Sequence, residues 1–224
     1  MLRKTPFTPG EIYHLYTRGV DKRSIFSDDY DKIRFQISLF IGNDKKNFNM
    51  FDTYHSHQSK KDIFKNDTRD GLIVGILAYC LMDNHIHLLV KEKVPNGISD
   101  FTRKIFTSHS KHFNEKMERT GALFESRFKS KHVDNDAYFR HLFSYIHLNP
   151  LKFIDPDWKE KTLDAHTIKE YTEFLESYPY SSYNDYADEV RPERNILTMN
   201  TMPEYFNPTL DIQEMFKYMN KYAQ

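Results

Sequence analysis

A chain of 224 residues, 39% hydrophobic and with one cysteine, suits one domain, or one domain with an appendage, and excludes an internal disulfide. Its mean hydropathy of −0.73 and the lack of any apolar run near the ~20 residues that cross a bilayer exclude a membrane-spanning helix. Lys and Arg balance Asp and Glu at 32 each, but residues 1–152 carry 25 basic against 18 acidic side chains and residues 153–224 carry 7 against 14, a basic body compatible with nucleic acid followed by an acidic segment.

The opening MLRKTPFTPGEIYH has no apolar stretch of the signal-peptide kind, so the expected location is the cytoplasm. EIYHLYTRGV (11–20) alternates Ile12, His14 and Tyr16 with Tyr13, Leu15 and Thr17, and reads as a strand closed by Gly19. DDYDKIRFQISLFI (28–41) has acids at its front and Ile33, Ile37, Phe40 and Ile41 at helical spacing. Residues 43–70 are polar without a period and read as a long loop. LIVGILAYCLM (72–82) is a buried strand, with Cys80 as a small hydrophobe. Asp83–Asn84 is a turn pair, and HIHLLVKE returns to complete a hairpin.

GISDFTRKIFTSHSKHFNEKMERTG (97–121) predicts a helix capped by Ser99, with Phe101, Ile105, Phe113 and Met117 as its apolar stripe and Gly121 at its end. ESRFKSKHV (125–133) alternates as a strand, and NDAYFRHLFSYIHLNP (135–150) is a helix stopped by Pro150. The order β-α-β-β-α-β-α is the α+β, ferredoxin-like split βαβ pattern, an antiparallel sheet with helices packed on one face. Residues 1–152 would form this core and residues 153–224 a mostly helical appendage packed on it, with an aromatic piece YPYSSYNDY and a last helix near 209–222.

His85 and His87 flank Ile86, so on a strand both imidazoles point one way, about 7 Å apart along the chain. Two such groups can converge on one divalent ion, although a His-x-His on a strand is more often incidental. HSH at His55 and His57 has the same spacing in a loop, and there the incidental reading is the stronger. On a helical wheel, Tyr138, His141 and Asn149 fall within about 40° of Tyr145, while Phe139, Phe143 and Ile146 lie on the opposite side. One face therefore offers Tyr138, His141, Tyr145 and Asn149 together, and Asn149 could add a neutral oxygen ligand. Taken alone, the helix reads better as a partly exposed tyrosine and an asparagine cap before Pro150.

Together, MDNHIHLL (82–89) and YIHLNP (145–150) resemble the single-tyrosine His-hydrophobic-His transposases, specifically the REP-associated tyrosine transposases. YHLYTRGVDKRSIF is similar to that family's first strand and loop, FESRFKS to the strand before its catalytic helix, and YPYSSYNDY to its tryptophan-Ser-Ser-Tyr segment, with Tyr180 in place of the tryptophan. The resemblance runs from about residue 11 to residue 187. Residues 43–70 are longer than the family's usual segment, and the last 35 residues match nothing in it.

The resemblance implies a metal-dependent DNA strand transferase. His85 and His87 would hold Mg²⁺, with Mn²⁺ able to substitute; Asn149 would be the third ligand, and Tyr145 the nucleophile. The substrate would be single-stranded DNA at hairpin-forming repeats, and the product a 5′-phosphotyrosine with a free 3′-OH, so a second 3′-OH can rejoin the strand without ATP. A phenol with an ordinary pKa near 10 needs activation; His141 is the nearest group on the wheel and the better read as a structural neighbour. Arg127, Lys129 and Lys131 would share a strand face as a basic row for phosphates. Arg18 and the Lys22–Arg23 pair flank the first strand, and Tyr13 and Tyr16 could stack on bases. The alternative is a non-catalytic nucleic-acid-binding module on the same sheet. A histidine phosphoesterase would need a second His-x-Thr/Ser motif, for which HTI at His166 is a poor match. Monomer and homodimer both remain open.

Overall fold

The computed structural model describes residues 6–55, 59–65, 67–186, 191–208 and 210–222. Four strands, β1 (Ile12–Arg18), β2 (Val74–Met82), β3 (His85–Glu92) and β4 (Lys129–Val133), form one sheet in the order β2-β3-β1-β4. All three pairings are antiparallel. This is the strand order of the ferredoxin-like split βαβ expected from the sequence.

The crossover helices α1 (Asp29–Ile41) and α4 (Gly97–Lys116) share one face of the sheet. There Phe35, Ile37, Leu39 and Phe40 of α1 and Ile98, Phe101, Ile105 and Phe113 of α4 meet Tyr13, Leu15, Ile86, Leu88 and Val90. The helix after β4, α5 (Asp136–Leu148), lies on the other face. Its Phe139, Leu142, Phe143 and Ile146 pack on Leu77, Ala78, Cys80, Met82 and Leu89, the side the wheel assigns to burial. A bulge at Ile76–Ala78 of β2 brings both Leu77 and Ala78 into this second core. The fold thus has helices on both faces, with the two crossovers together on one.

Local capping explains most helix starts. Asp28 accepts from the Asp31 N–H at 3.0 Å and Asn135 from the Tyr138 N–H at 2.8 Å. The start of α4 differs from the expectation at Ser99. Asn96 precedes the helix with φ of 64° and no side-chain cap, and the Glu92 carboxylate accepts from the Ile98 N–H at 2.9 Å. Gly97 is required here, because a Cβ would stand 2.2 Å from the Ile73 carbonyl oxygen. The helix also ends at Lys116 rather than at Gly121.

Residues 43–70 contain two short helices, α2 (Met50–His55) and α3 (Lys60–Lys65), where the sequence shows no period. Beyond α5 the chain runs through short 3₁₀ turns to α6 (Ala165–Ser177) and α7 (Ile212–Tyr222). A third core joins Leu148, Leu151, Trp158, Tyr171, Leu175, Tyr183, Met215 and Phe216. The piece containing YPYSSYNDY covers the outer edge of β2: the Leu81 N–H donates to Tyr180 O, Ser182 N–H to Tyr79 O and Thr198 N–H to Ile76 O, each at 2.9 Å. That edge would otherwise offer unpaired backbone groups. Among the described residues, no helix is long and apolar enough to cross a membrane.

Two buried histidines tie stability to pH. His109 hydrogen-bonds the Ile25 carbonyl at 2.7 Å, and His147 meets the Ser182 hydroxyl at 2.7 Å. Burial lowers His109 to about 4 and His147 to about 3. The unfolded chain therefore binds more protons below pH 6.5, and stability falls as pH drops from about 6.5 towards those values, by roughly 1.4 kcal/mol per pH unit for each histidine. Urea unfolding measured from pH 7.5 to 5 should show this slope, and His147→Gln should flatten it by about one histidine's share. An unchanged slope would show that His147 is not neutral in the fold.

Candidate active site

Cross-strand register brings the site together before any helix is added. His87 pairs with Cys80 on one side and Tyr16 on the other, and Tyr16 pairs with Lys129. The adjacent row runs from Met82 through His85 to Arg18, and the row on the other side from Ala78 through Leu89 and His14 to Lys131. Directly paired residues point to the same face, so His14, His85, His87, Arg18, Lys129 and Lys131 all share the face that α5 crosses.

The helix then adds the phenol. The Tyr145 ring stands edge-on to His87, with centroids 5.2 Å apart and planes at 81°. Tyr138, His141 and Tyr145 form a ladder of near-parallel rings, successive centroids 6.3 Å apart. Asn149 keeps helical dihedrals, φ −56° and ψ −36°, and so stays in phase with Tyr145 although Pro150 follows. Its Oδ1 lies 3.4 Å from His85 Nε2. Burial raises the phenol's pKa, and the Asn149 side chain, one turn along α5, pulls the other way.

The protonation pattern around His85 is restrictive. Asn84 Nδ2 donates to Lys22 O at 3.1 Å, which turns Asn84 Oδ1 to His85 Nδ1 at 2.7 Å. Burial lowers His85 to about 4, so at neutral pH the ring carries one proton and uses it on Asn84. His85 Nε2 is then a bare lone pair facing the Asn149 oxygen, an arrangement of two acceptors that suits a shared cation. His87 is also held neutral by burial, well below the ordinary histidine value. Its Nδ1 meets His14 Nε2 at 2.9 Å, which leaves Nε2 as its open donor atom. Two neutral imidazoles and an amide oxygen fit a divalent ion that must keep its charge for a phosphate. Among the described residues, no cluster of three or more His, Cys, Asp or Glu side chains is placed to hold a metal.

An open cleft of about 540 Å³ borders these groups, lined by Tyr16, Arg18, Lys22, His85, His87, Lys129, Tyr145 and Lys152 among others. Lys131 sits farther along β4, its Nζ 4.3 Å from the Tyr138 ring centre. Arg18 is ion-paired with Glu125 at 2.9 Å at the cleft. The strand expected over 125–133 begins only at Lys129, so Arg127 lies ahead of β4, which carries Lys129 and Lys131. Tyr13 is buried in the opposite core, whereas Tyr16 is 37% exposed beside His87. His55 ends α2, and His57 lies outside the described residues.

Three groups near the site escaped sequence reasoning. In the sequence His14 is only one position of an alternating strand; its relation to His87 is diagonal across β1 and β3 and emerges from register. Asn84 was read as a turn residue, yet it sets the His85 tautomer. Lys159, from the acidic segment, places its Nζ 4.7 Å from the Tyr145 ring centre, and no periodicity signals it.

No curated protein matches this chain. A solved structure described as a REP-associated tyrosine transposase bound to a REP hairpin is similar to it, at 16% identity and a TM-score of 0.47, over 86% of this chain and 89% of that one. The sequence model described as "Transposase IS200 like" matches residues 12–149, from the first residue of β1 to the asparagine beside Tyr145 and His85. With more than half of its length inside that match, the chain belongs to the IS200-like transposase family.

Proposed function

We propose that this DNA transposase cleaves and rejoins single-stranded DNA at hairpin-forming repeats through a 5′-phosphotyrosine on Tyr145. The observation that carries the reading is the placement of Asn149, whose oxygen faces the open nitrogen of His85 and whose side chain favours loss of the Tyr145 proton. The motifs resemble those of the REP-associated branch, and the hairpin substrate follows from that resemblance. His85, His87 and Asn149 would hold Mg²⁺ or Mn²⁺. When bound, such an ion neutralises a nonbridging phosphate oxygen and stabilises the leaving 3′-oxygen.

The chain's own residues do the rest. Asn149 aims the phenol and eases loss of its proton. The Tyr145 oxygen bonds to phosphorus as the phosphorus–O3′ bond breaks; the phenol's proton goes to water, and the 3′-oxygen takes one up. The covalent link conserves the phosphodiester for a second 3′-OH. His14 fixes the His87 ring so that its free nitrogen faces outward, the role of a second-layer partner. Arg18, Lys129 and Lys131 lie on the same sheet face as the site and lead the backbone of the strand to it. Arg127 would act from the approach to β4.

The form of the DNA tests this reading. A hairpin oligonucleotide carrying the repeat beside the gene should be cut on one strand, and the same sequence in full duplex should not. Lys129→Ala with Lys131→Ala should weaken binding to cognate and scrambled hairpins alike and reduce the salt slope by about 0.7 per lost contact. Equal cutting of duplex and hairpin would contradict the single-strand reading, and a wild-type slope in the double variant would place the phosphate track elsewhere.

A further inference from the structure

The segment that leaves α5 leads from the basic body into the acidic part of the chain, and it returns two lysines to the site, Lys152 before that boundary and Lys159 beyond it. Lys152, three residues beyond Asn149, lines the cleft. Lys159 stands over the Tyr145 ring, its Nζ 4.7 Å from the centroid. The turn that delivers it is anchored by Trp158, which is buried and packs edge-on against Phe216 with centroids 5.5 Å apart. Core packing therefore sets where Lys159 begins.

The charges there are one-sided. Among the described residues neither Lys152 nor Lys159 is ion-paired with a carboxylate, while Lys161 and Lys169 are, although residues 153–224 carry twice as many acids as bases. Partial burial and the charge of Lys152 both lower the Lys159 pKa. Lys159 in turn disfavours protonation of His87 and His141. An ammonium crowded by another cation and by neutral imidazoles, and held against the Tyr145 ring that lines the open cleft, is stabilised by an incoming anion.

We propose that Lys159 is a catalytic residue whose ammonium contacts the phosphate that Tyr145 attacks. This rests on the proposed strand-transfer reading and adds a group that the His85–His87 and Tyr145–Asn149 motifs do not contain. As the Tyr145 oxygen bonds to phosphorus and the 3′-oxygen departs, the nonbridging oxygens keep their negative charge. Lys159 offsets that charge from the α5 side of the cleft, and the same charge favours the phenolate. Lys152 lies along the cleft as a second contact for the flanking backbone.

The test pairs a change in the protein with a change in the DNA. The probe is an oligonucleotide that the wild-type protein cuts, made with either a phosphate or an uncharged methylphosphonate at the scissile linkage. Binding is measured in EDTA, so that no divalent ion contributes. Wild type should prefer the phosphate form by about tenfold, the worth of one charge-assisted contact. Lys159→Met should reduce that preference to less than twofold and slow cleavage by roughly 10²-fold, as loss of one preorganised donor does. Lys159→Arg should retain part of both. Lys169→Met, on the exposed face of α6, should change neither, and melting curves confirm that each variant is folded. If Lys159→Met keeps the wild-type preference and rate while Tyr145→Phe forms no adduct, Lys159 is not a phosphate contact and the strand-transfer reading stands. If wild type cuts no hairpin, or Tyr145→Phe still forms the adduct, that reading fails and this inference with it.

Discussion

Tyr145→Phe is expected to leave hairpin binding within a few fold of wild type and to abolish the denaturant-resistant protein–DNA adduct. The hydroxyl is the only group removed. The ring that faces His87 at 5.2 Å and stacks with His141 remains, so the cleft keeps its shape. Loss of a covalent nucleophile lowers the rate by roughly four orders of magnitude or more. Tyr138 is the internal control. It lies on the same helix face, but it is buried with Lys131 over its ring, so Tyr138→Phe should still form the adduct. Labelled single-stranded DNA, Mn²⁺ and a denaturing gel suffice for the comparison. Loss of the adduct in Tyr138→Phe and its survival in Tyr145→Phe would mean that the nucleophile has been misassigned.

His85→Ala and His87→Ala should each remove cleavage, whereas His55→Ala and His57→Ala should not. Second-layer partners of a metal site typically contribute 10- to 100-fold in affinity, so loss of a direct ligand should exceed about 10²-fold. Mn²⁺ binding followed by electron paramagnetic resonance reports this without any turnover. His14→Ala, which leaves His87 Nδ1 without its 2.9 Å partner, should fall in the 10- to 100-fold range. Asn149→Gln keeps the amide on a longer arm and should retain some activity; Asn149→Leu removes both the oxygen near His85 and the amide that favours loss of the phenol's proton, and should not. Equal loss from both histidine pairs would show that the His85–His87 face is not special.

Much of the core was legible because its signals are local. Alternation placed His85 and His87 on one face of β3, and a 100° wheel put Phe139, Phe143 and Ile146 opposite Tyr145, where the second core holds them. The hairpin turn at Asp83–Asn84 and the acidic front of the helix over 28–41 are likewise short-range. What escaped depends on pairing between distant segments. His14 becomes a partner of His87 only once β1 is set beside β3, and the face taken by α5 follows from where β4 ends. The cap of α4 comes from Glu92, six residues before the Ile98 N–H it accepts from, so the nearer Ser99 was the natural reading. The Tyr178–Tyr186 piece carries no period, because its order comes from hydrogen bonds to the β2 edge. Lys159 lies in an irregular, acidic stretch, and its position follows from Trp158 burying itself against α7.

Mass spectrometry of the adduct tests the central claim most directly. The protein is incubated with a cleavable hairpin oligonucleotide and Mn²⁺, denatured and digested with protease and nuclease. The account predicts one modified peptide, containing Tyr145, with a nucleotide joined to the phenol through its 5′-phosphate, and a free 3′-OH on the released strand. A nucleotide on another residue, a 3′-phosphate linkage, or cleavage that leaves no protein-linked nucleotide would contradict it.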